Sequence, residues 1–146
     1  MAESYLLDTS IVSEFAPNRQ PMPGKVAAWM AAHETRFHLA AITFAELNEG
    51  IARLRRAGAV QRADSLQNWL ADTGSRFGDR ILSLDATGAL AAGEIADLAT
   101  AGGVHPGLAD VLIAATAQVR NLTVVTRNLK HFIPLGVACL DPFEPR

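Results

Sequence analysis

Four oxygen-bearing side chains stand where apolar segments end or helix-like segments begin: Asp8 in YLLDTSIVSEF, Glu46 in AAITFAELNEGIARL, Asp110 in HPGLADVLIAATA and Asn128 in TVVTRNLKHF. Each has an ordinary structural use. Asp8 can cap the next helix by accepting from backbone N–H groups that lack an intrahelical partner. Thr43 and Glu46 have the spacing of a capping box. Asp110 complements the positive end of a helix dipole, and Asn128 can cap the turn that holds Lys130 and Phe132. The chemical alternative is one shared site, because open α/β sheets place ligands at the carboxyl ends of their strands. Several oxygen donors on one such edge are what a hard divalent cation, Mg²⁺ or Mn²⁺, requires. Thr9, Ser10 and Thr126 are hydroxyl neighbours that either orient those donors or cap helices.

Other chemistry finds less support. His33, His38, His105 and His131 have no paired metal-ligand spacing, and no serine or cysteine sits in a local nucleophile motif. Asp85 ends a strand-like run in ILSLDATGAL and reads as a helix cap. Glu49 and Arg53, four apart, suit a surface ion pair. Trp29, Trp69 and Phe44 fall at helical spacing among Leu and Ala, which assigns them to the core or a subunit contact. Cys139 lies in the apolar run GVACL as the chain's single cysteine, so an internal disulfide is excluded.

The elements that must position the four residues alternate between strand and helix. Runs with strand character fall at Tyr5–Leu7, Phe37–Ala40, Ile81–Leu84, Thr123–Val125 and Val137–Leu140. Helical spacing predicts helices over Ser10–Phe15, Gly24–Ala32, Thr43–Ala57, Val60–Thr73, Thr87–Thr100 and Gly107–Arg120, with a short turn over Asn128–Phe132. This is an α/β order, and strands covered on both faces make a mostly parallel sheet.

The 146 residues fit one domain, 1–146, and 49% hydrophobic content supplies a real core. No apolar run approaches the ~20 residues of a membrane span, and MAESYLLDTS lacks the pattern of a secretory signal, so a cytoplasmic address is expected. A net charge of −2 argues against a general polyanion binder. The segment IARLRRAGAVQR nevertheless concentrates Arg53, Arg55, Arg56 and Arg62 into a local basic surface.

In chain order, LLDTSIVSE, AITFAELNEGIARL, ADVLIAATA and TVVTRNLKHF resemble the motif series of PIN-domain ribonucleases, and more narrowly the VapC and FitB toxins of bacterial toxin–antitoxin pairs. The resemblance runs through nearly the whole chain. It implies a PIN-like three-layer domain with a central, mostly parallel five-stranded sheet flanked by helices. It also implies Mg²⁺- or Mn²⁺-dependent endoribonuclease activity on RNA, a homodimer, and inhibition by a cognate VapB-like antitoxin. Asp8, Glu46 and Asp110 match the family's three acidic positions. Asn128 departs from the fourth, where aspartate is frequent, and so bears on whether a second metal binds.

On that resemblance Asp8 and Asp110 are direct metal ligands, Glu46 is a ligand or holds a water, and Asn128 orients a water as a neutral donor and acceptor. A phosphodiester is anionic, so cations that neutralise its oxygens and acidify bound water are the catalyst such ligands recruit. The basic segment offers phosphate contacts without base specificity. Two readings of other classes remain: a phospho-acceptor or phosphatase-like domain with Asp8 as nucleophile and Lys130 as its weak lysine match, and a catalytically silent acidic pocket that docks a basic partner.

Overall fold

The computed structural model describes residues 2–144. Among them, five strands alternate with seven α-helices: β1 Tyr5–Leu7, α1 Thr9–Val12, α2 Gly24–His33, β2 Phe37–Ala40, α3 Ala41–Arg56, α4 Val60–Phe77, β3 Ile81–Leu82, α5 Ala86–Ala101, α6 Leu108–Arg120, β4 Thr123–Val125, α7 Leu129–Phe132 and β5 Cys139–Leu140. The sheet order is β3-β2-β1-β4-β5 and every pairing is parallel. Tyr5 aligns with Phe37 on one side and with Thr123 on the other. β1 is therefore central, and the chain leaves it toward β2 and β3 before crossing back to β4 on its opposite flank. That reversal opens a crevice between β1 and β4 at their carboxyl ends.

Side-chain alternation divides the core between the two faces of the sheet. Leu6 and Val124 pack with Ile95, Val111, Ile113 and Ala114 from α5 and α6, while Tyr5, Leu7, Leu39 and Val125 pack with Ile11, Val26 and Met30 from α1 and α2. Each fully buried Leu or Ile contributes about 1.5–3 kcal/mol of transfer free energy. α3 and α4 form a helical hairpin closed by Ile51, Ala63 and Leu70. Trp29, Trp69 and Phe44 lie partly buried against these clusters, and Trp29 meets Tyr5 edge to face at 5.2 Å. Cys139 packs against the α5–α6 side of the core, and burial pushes its thiol above the ordinary value, away from thiolate chemistry.

Several boundaries differ from the sequence-based expectations. β3 stops at Leu82 and β5 begins at Cys139, so both edge strands are two residues long rather than four. The first helix starts at Thr9 and passes into a 3₁₀ turn over Ser13–Phe15. α3 starts at Ala41, directly on the last residue of β2. α4 runs past Thr73 to Phe77 and ends where Gly78 adopts a positive φ of 50°; Gly74 does not break it. α6 ends on Asn121 in the left-handed conformation, a helix stop that Asn tolerates.

Candidate active site

Asp8 extends the ladder of β1 by one bond, its N–H donating to Val125 O at 2.9 Å. It occupies the N-cap position of α1, yet its side chain makes no capping bond. Instead, Oδ2 accepts from Ser10 Oγ at 2.8 Å and from Thr126 Oγ1 at 2.8 Å, with Asp8 only 4% exposed. Each hydroxyl has a single proton, given to Asp8, and each also accepts a backbone N–H: Ser10 from Arg127 at 3.2 Å, Thr126 from Asn128 at 2.9 Å. The end of β4 is thus tied to the end of β1 through the carboxylate, which fixes its rotamer as a charge-assisted pair of bonds does.

Glu46 is not part of a capping box. Because α3 begins at Ala41 with Ala40 as its N-cap, Thr43 lies inside the first turn and is fully buried. Glu46 Oε1 accepts from Thr9 Oγ1 at 2.6 Å, and Thr9 Oγ1 lies 3.1 Å from Thr43 Oγ1. Asp110 is in the first turn of α6, where the dipole contribution applies, but it also has a partner from α7: its Oδ2 is 3.2 Å from His131 Nδ1. Asn128 holds the N-cap position of α7 without a side-chain capping bond, and its recorded tie to the site is its own N–H to Thr126.

Electrostatics join the three acids. Burial raises the Glu46 carboxyl above its ordinary value; the Thr9 hydrogen bond opposes this, and the charges of Asp8, Asp110 and Glu49 add to it. Burial also raises Asp110, with Asp8 adding repulsion and His131 opposing it. The Asp8 charge beyond β1 thus acts on both Glu46 of α3 and Asp110 of α6, and a cation among the three carboxylates would relieve that repulsion. Among the described residues, no three His, Cys, Asp or Glu side chains make a ready-formed metal cage. The donor set nevertheless fits a hard cation, since Mg²⁺ keeps several waters and takes one or two carboxylates rather than a closed protein shell.

The four arginines singled out in the sequence lie elsewhere. Arg53 pairs with Glu49 at 3.1 Å, and Arg55 with Asp64 at 2.8 Å and Gln67 at 2.7 Å, all exposed on the α3–α4 hairpin. Seven residues of helix place Arg53 about 10 Å along α3 from Glu46. Asp85 caps α5 as expected, accepting from Gly88 N–H at 3.0 Å. Three groups tied to the acids were not assigned to the site: Thr43, read as a helix cap, His131 and Arg127. His131 meets Asp110 from a distant segment, which no local spacing reveals. Arg127, adjoining Thr126, was readable as a residue at the end of a strand. Beside these groups, an apolar cavity of about 460 Å³ is walled by Leu7, Val12, Met30, Leu39, Trp69 and Phe77, with Glu14 and Arg19 also on its wall.

Comparison with known proteins gives consistent likenesses. Residues 5–133 match the model of the PIN domain family. The chain is 34% identical over 141 residues to toxin FitB of Neisseria gonorrhoeae, covering 95% of this chain and 98% of that protein. It is 33% identical over 146 residues to a VapC ribonuclease of Sinorhizobium fredii, covering 96% and 98% respectively. Its fold superposes on the crystal structure of FitAcB from Neisseria gonorrhoeae with a TM-score of 0.82 and 34% identity, covering 97% of this chain and 99% of that one.

Proposed function

The chain belongs to the PIN-domain family, and from that premise we propose that it is a divalent-metal-dependent endoribonuclease, hydrolysing phosphodiester bonds as the toxin of a toxin–antitoxin pair. The observation that carries this reading is the convergence of Asp8, Glu46 and Asp110, from three separate segments, on one edge of the sheet, where Asp8 raises the cost of charging both of the others. The named relatives, a toxin and a ribonuclease, support the biological role. Asp8 and Asp110 would hold Mg²⁺ or Mn²⁺, with Glu46 as a further ligand or a water-holding group and Asn128 as a neutral donor and acceptor. When bound, such a cation neutralises phosphoryl oxygens and acidifies water.

The chain's own residues supply the positioning. Ser10 and Thr126 lock the Asp8 carboxylate through Oδ2, Thr9 fixes Glu46 through Oε1, and His131 steers Asp110 through Oδ2. Thr126 also holds the N–H of Asn128, so that residue is set by the same hydroxyl that sets Asp8. Correct placement of this kind is where much of the rate advantage of a site arises.

The proposal extends to partners and place. The protein works as a single domain in the cytoplasm, as a homodimer; among the described residues no helix is long and apolar enough to cross a membrane. A cognate VapB-like antitoxin would cover the acidic cleft and insert an Arg or Lys among Asp8, Glu46 and Asp110, which charge complementarity favours. The test is cleavage of RNA by purified protein: EDTA should abolish it and Mg²⁺ or Mn²⁺ restore it. Equal cleavage in chelator, with contaminating nuclease excluded by an Asp8→Asn control, would overturn the reading.

A further inference from the structure

A second charged cluster adjoins the acidic one and has the opposite sign. Glu14 Oε1 accepts from Arg19 Nη2 at 3.0 Å and from Arg127 Nη1 at 2.9 Å. Two guanidiniums against one carboxylate leave one positive charge in excess. Glu14 is 11% exposed, whereas Arg19 and Arg127 are 48% and 45% exposed, so the anion is covered and the cations face outward. The Arg127 guanidinium carbon sits over the Phe143 ring, 4.0 Å from its centroid, and the Phe143 N–H is held in turn by Asp141 Oδ1. Such a contact restrains a guanidinium without using its N–H donors.

Location gives this cluster its meaning. The Arg127 N–H donates to Ser10 Oγ, and Ser10 donates to Asp8. The Arg127 backbone is thus two hydrogen bonds from the central carboxylate. A site with three mutually repelling acids repels a polyanion unless fixed positive charge stands nearby. On the α3–α4 hairpin, Arg53 and Arg55 are each matched by one surface acid, whereas here two guanidiniums share one. Each guanidinium has five N–H donors in a fork that fits phosphate oxygens, and here it directs one nitrogen at Glu14.

We propose that Arg19 and Arg127 form a subsite for a backbone phosphate of the RNA strand flanking the cleaved bond, and that Glu14 holds both guanidiniums in place while competing with that phosphate. The identity of the strand rests on the ribonuclease reading above. In the free protein Glu14 pre-orients the fork, and in the complex a phosphate takes the outward donors.

The ion pair alone would also tie the turn after α1 to the end of β4, so the test must separate binding from scaffolding. Affinity for a single-stranded oligoribonucleotide is measured over a salt series in the full chain carrying Asp110→Asn, which does not cleave under the ribonuclease reading. Into that chain are placed Arg127→Gln, Arg19→Gln, Arg127→Lys and Glu14→Gln. Each Arg→Gln change should weaken binding and reduce the slope of log K against log salt by about 0.7, one single-strand phosphate contact. Arg127→Lys should keep the slope while losing affinity. Glu14→Gln should tighten binding severalfold, although it breaks the same ion pair. Parallel weakening by Glu14→Gln and Arg127→Gln, with matching losses of thermal midpoint, would show a scaffold and overturn the proposal; unchanged slopes in both arginine variants would overturn it too. Absence of RNA binding by Asp110→Asn, together with absence of cleavage by the unaltered protein, would instead remove the ribonuclease reading itself.

Discussion

The carboxylates of Glu46 and Asp110 make stability depend on pH in a direction opposite to that of Glu14. Burial raises both groups, and mutual repulsion adds to it. Between their ordinary and raised values the folded protein therefore binds more protons than the unfolded chain. Without metal, stability falls as pH rises through that window, and the full penalty is present above it. Glu14 is raised by burial but lowered further by hydrogen bonds and charges from Arg127 and Arg19. Its contribution is present above the ordinary carboxylate range and is lost as pH falls through the depressed value. In EDTA, Asp110→Asn should hold or raise the thermal midpoint at pH 7 and flatten its decline above the ordinary carboxylate range. In Mn²⁺ the unaltered protein should gain about 2.7 kcal/mol at a hundredfold excess over Kd, and the variant should lose most of that gain. Equal shifts in a calorimetric series would remove Asp110 from the cation site. Asp8 and Asp110 were legible because each stands at an element boundary in an apolar setting, whereas Glu46 lies a turn inside α3 and was legible through the motif series. The pairings of Arg127 with Glu14 and of His131 with Asp110 were not legible, because the partners come from distant segments and sequence spacing has no access to such pairs.

At the scale of elements, the weld between β1 and β4 is Thr126, fully buried with donor and acceptor both used. Thr126→Val keeps the shape and removes the hydroxyl, leaving the Asn128 N–H without that acceptor. The expected cost is about 1–3 kcal/mol with strong loss of cleavage, whereas Thr126→Ser should retain most of both. A chemical denaturation curve and a cleavage assay on each variant provide the check; an active, equally stable Thr126→Val would deny the hydroxyl its role. Strand and helix order could be read from hydrophobic period because it reflects which face is buried. Boundaries could not always be read that way. The capping-box pattern at Thr43 failed because β2 turns into α3 without a loop, moving the helix start to Ala41. Likewise α4 overran Thr73 because packing of Trp69 and Phe77 against the α1–α2 side of the core outweighed the weak helix propensity of Gly74.

For the whole molecule, the proposed dimer has a face to test. Leu90 and Leu98, both 73% exposed, lie eight residues apart along α5, about two turns and so on one stripe, and the exposed Ile133 opens the 3₁₀ turn that packs against the same helix. Single exposed leucines are ordinary; a stripe of them suits a second copy of the chain. Leu98→Glu should shift the light-scattering mass from dimer to monomer without lowering the thermal midpoint of the monomer, and an unchanged mass would rule this face out. The central position of β1 has a further consequence, in the order in which the chain is made. Asp8 is synthesised before Thr126, which fixes it and lies 118 positions later, and β1 has no neighbour on its β4 side until then. Contacts this distant form late because the intervening loop must first be closed. The nascent chain therefore carries its acids scattered and its site unassembled until β4 has been made. A cell making this protein meets the hazard only once β4 and Thr126 have been added, when a partner can already be waiting.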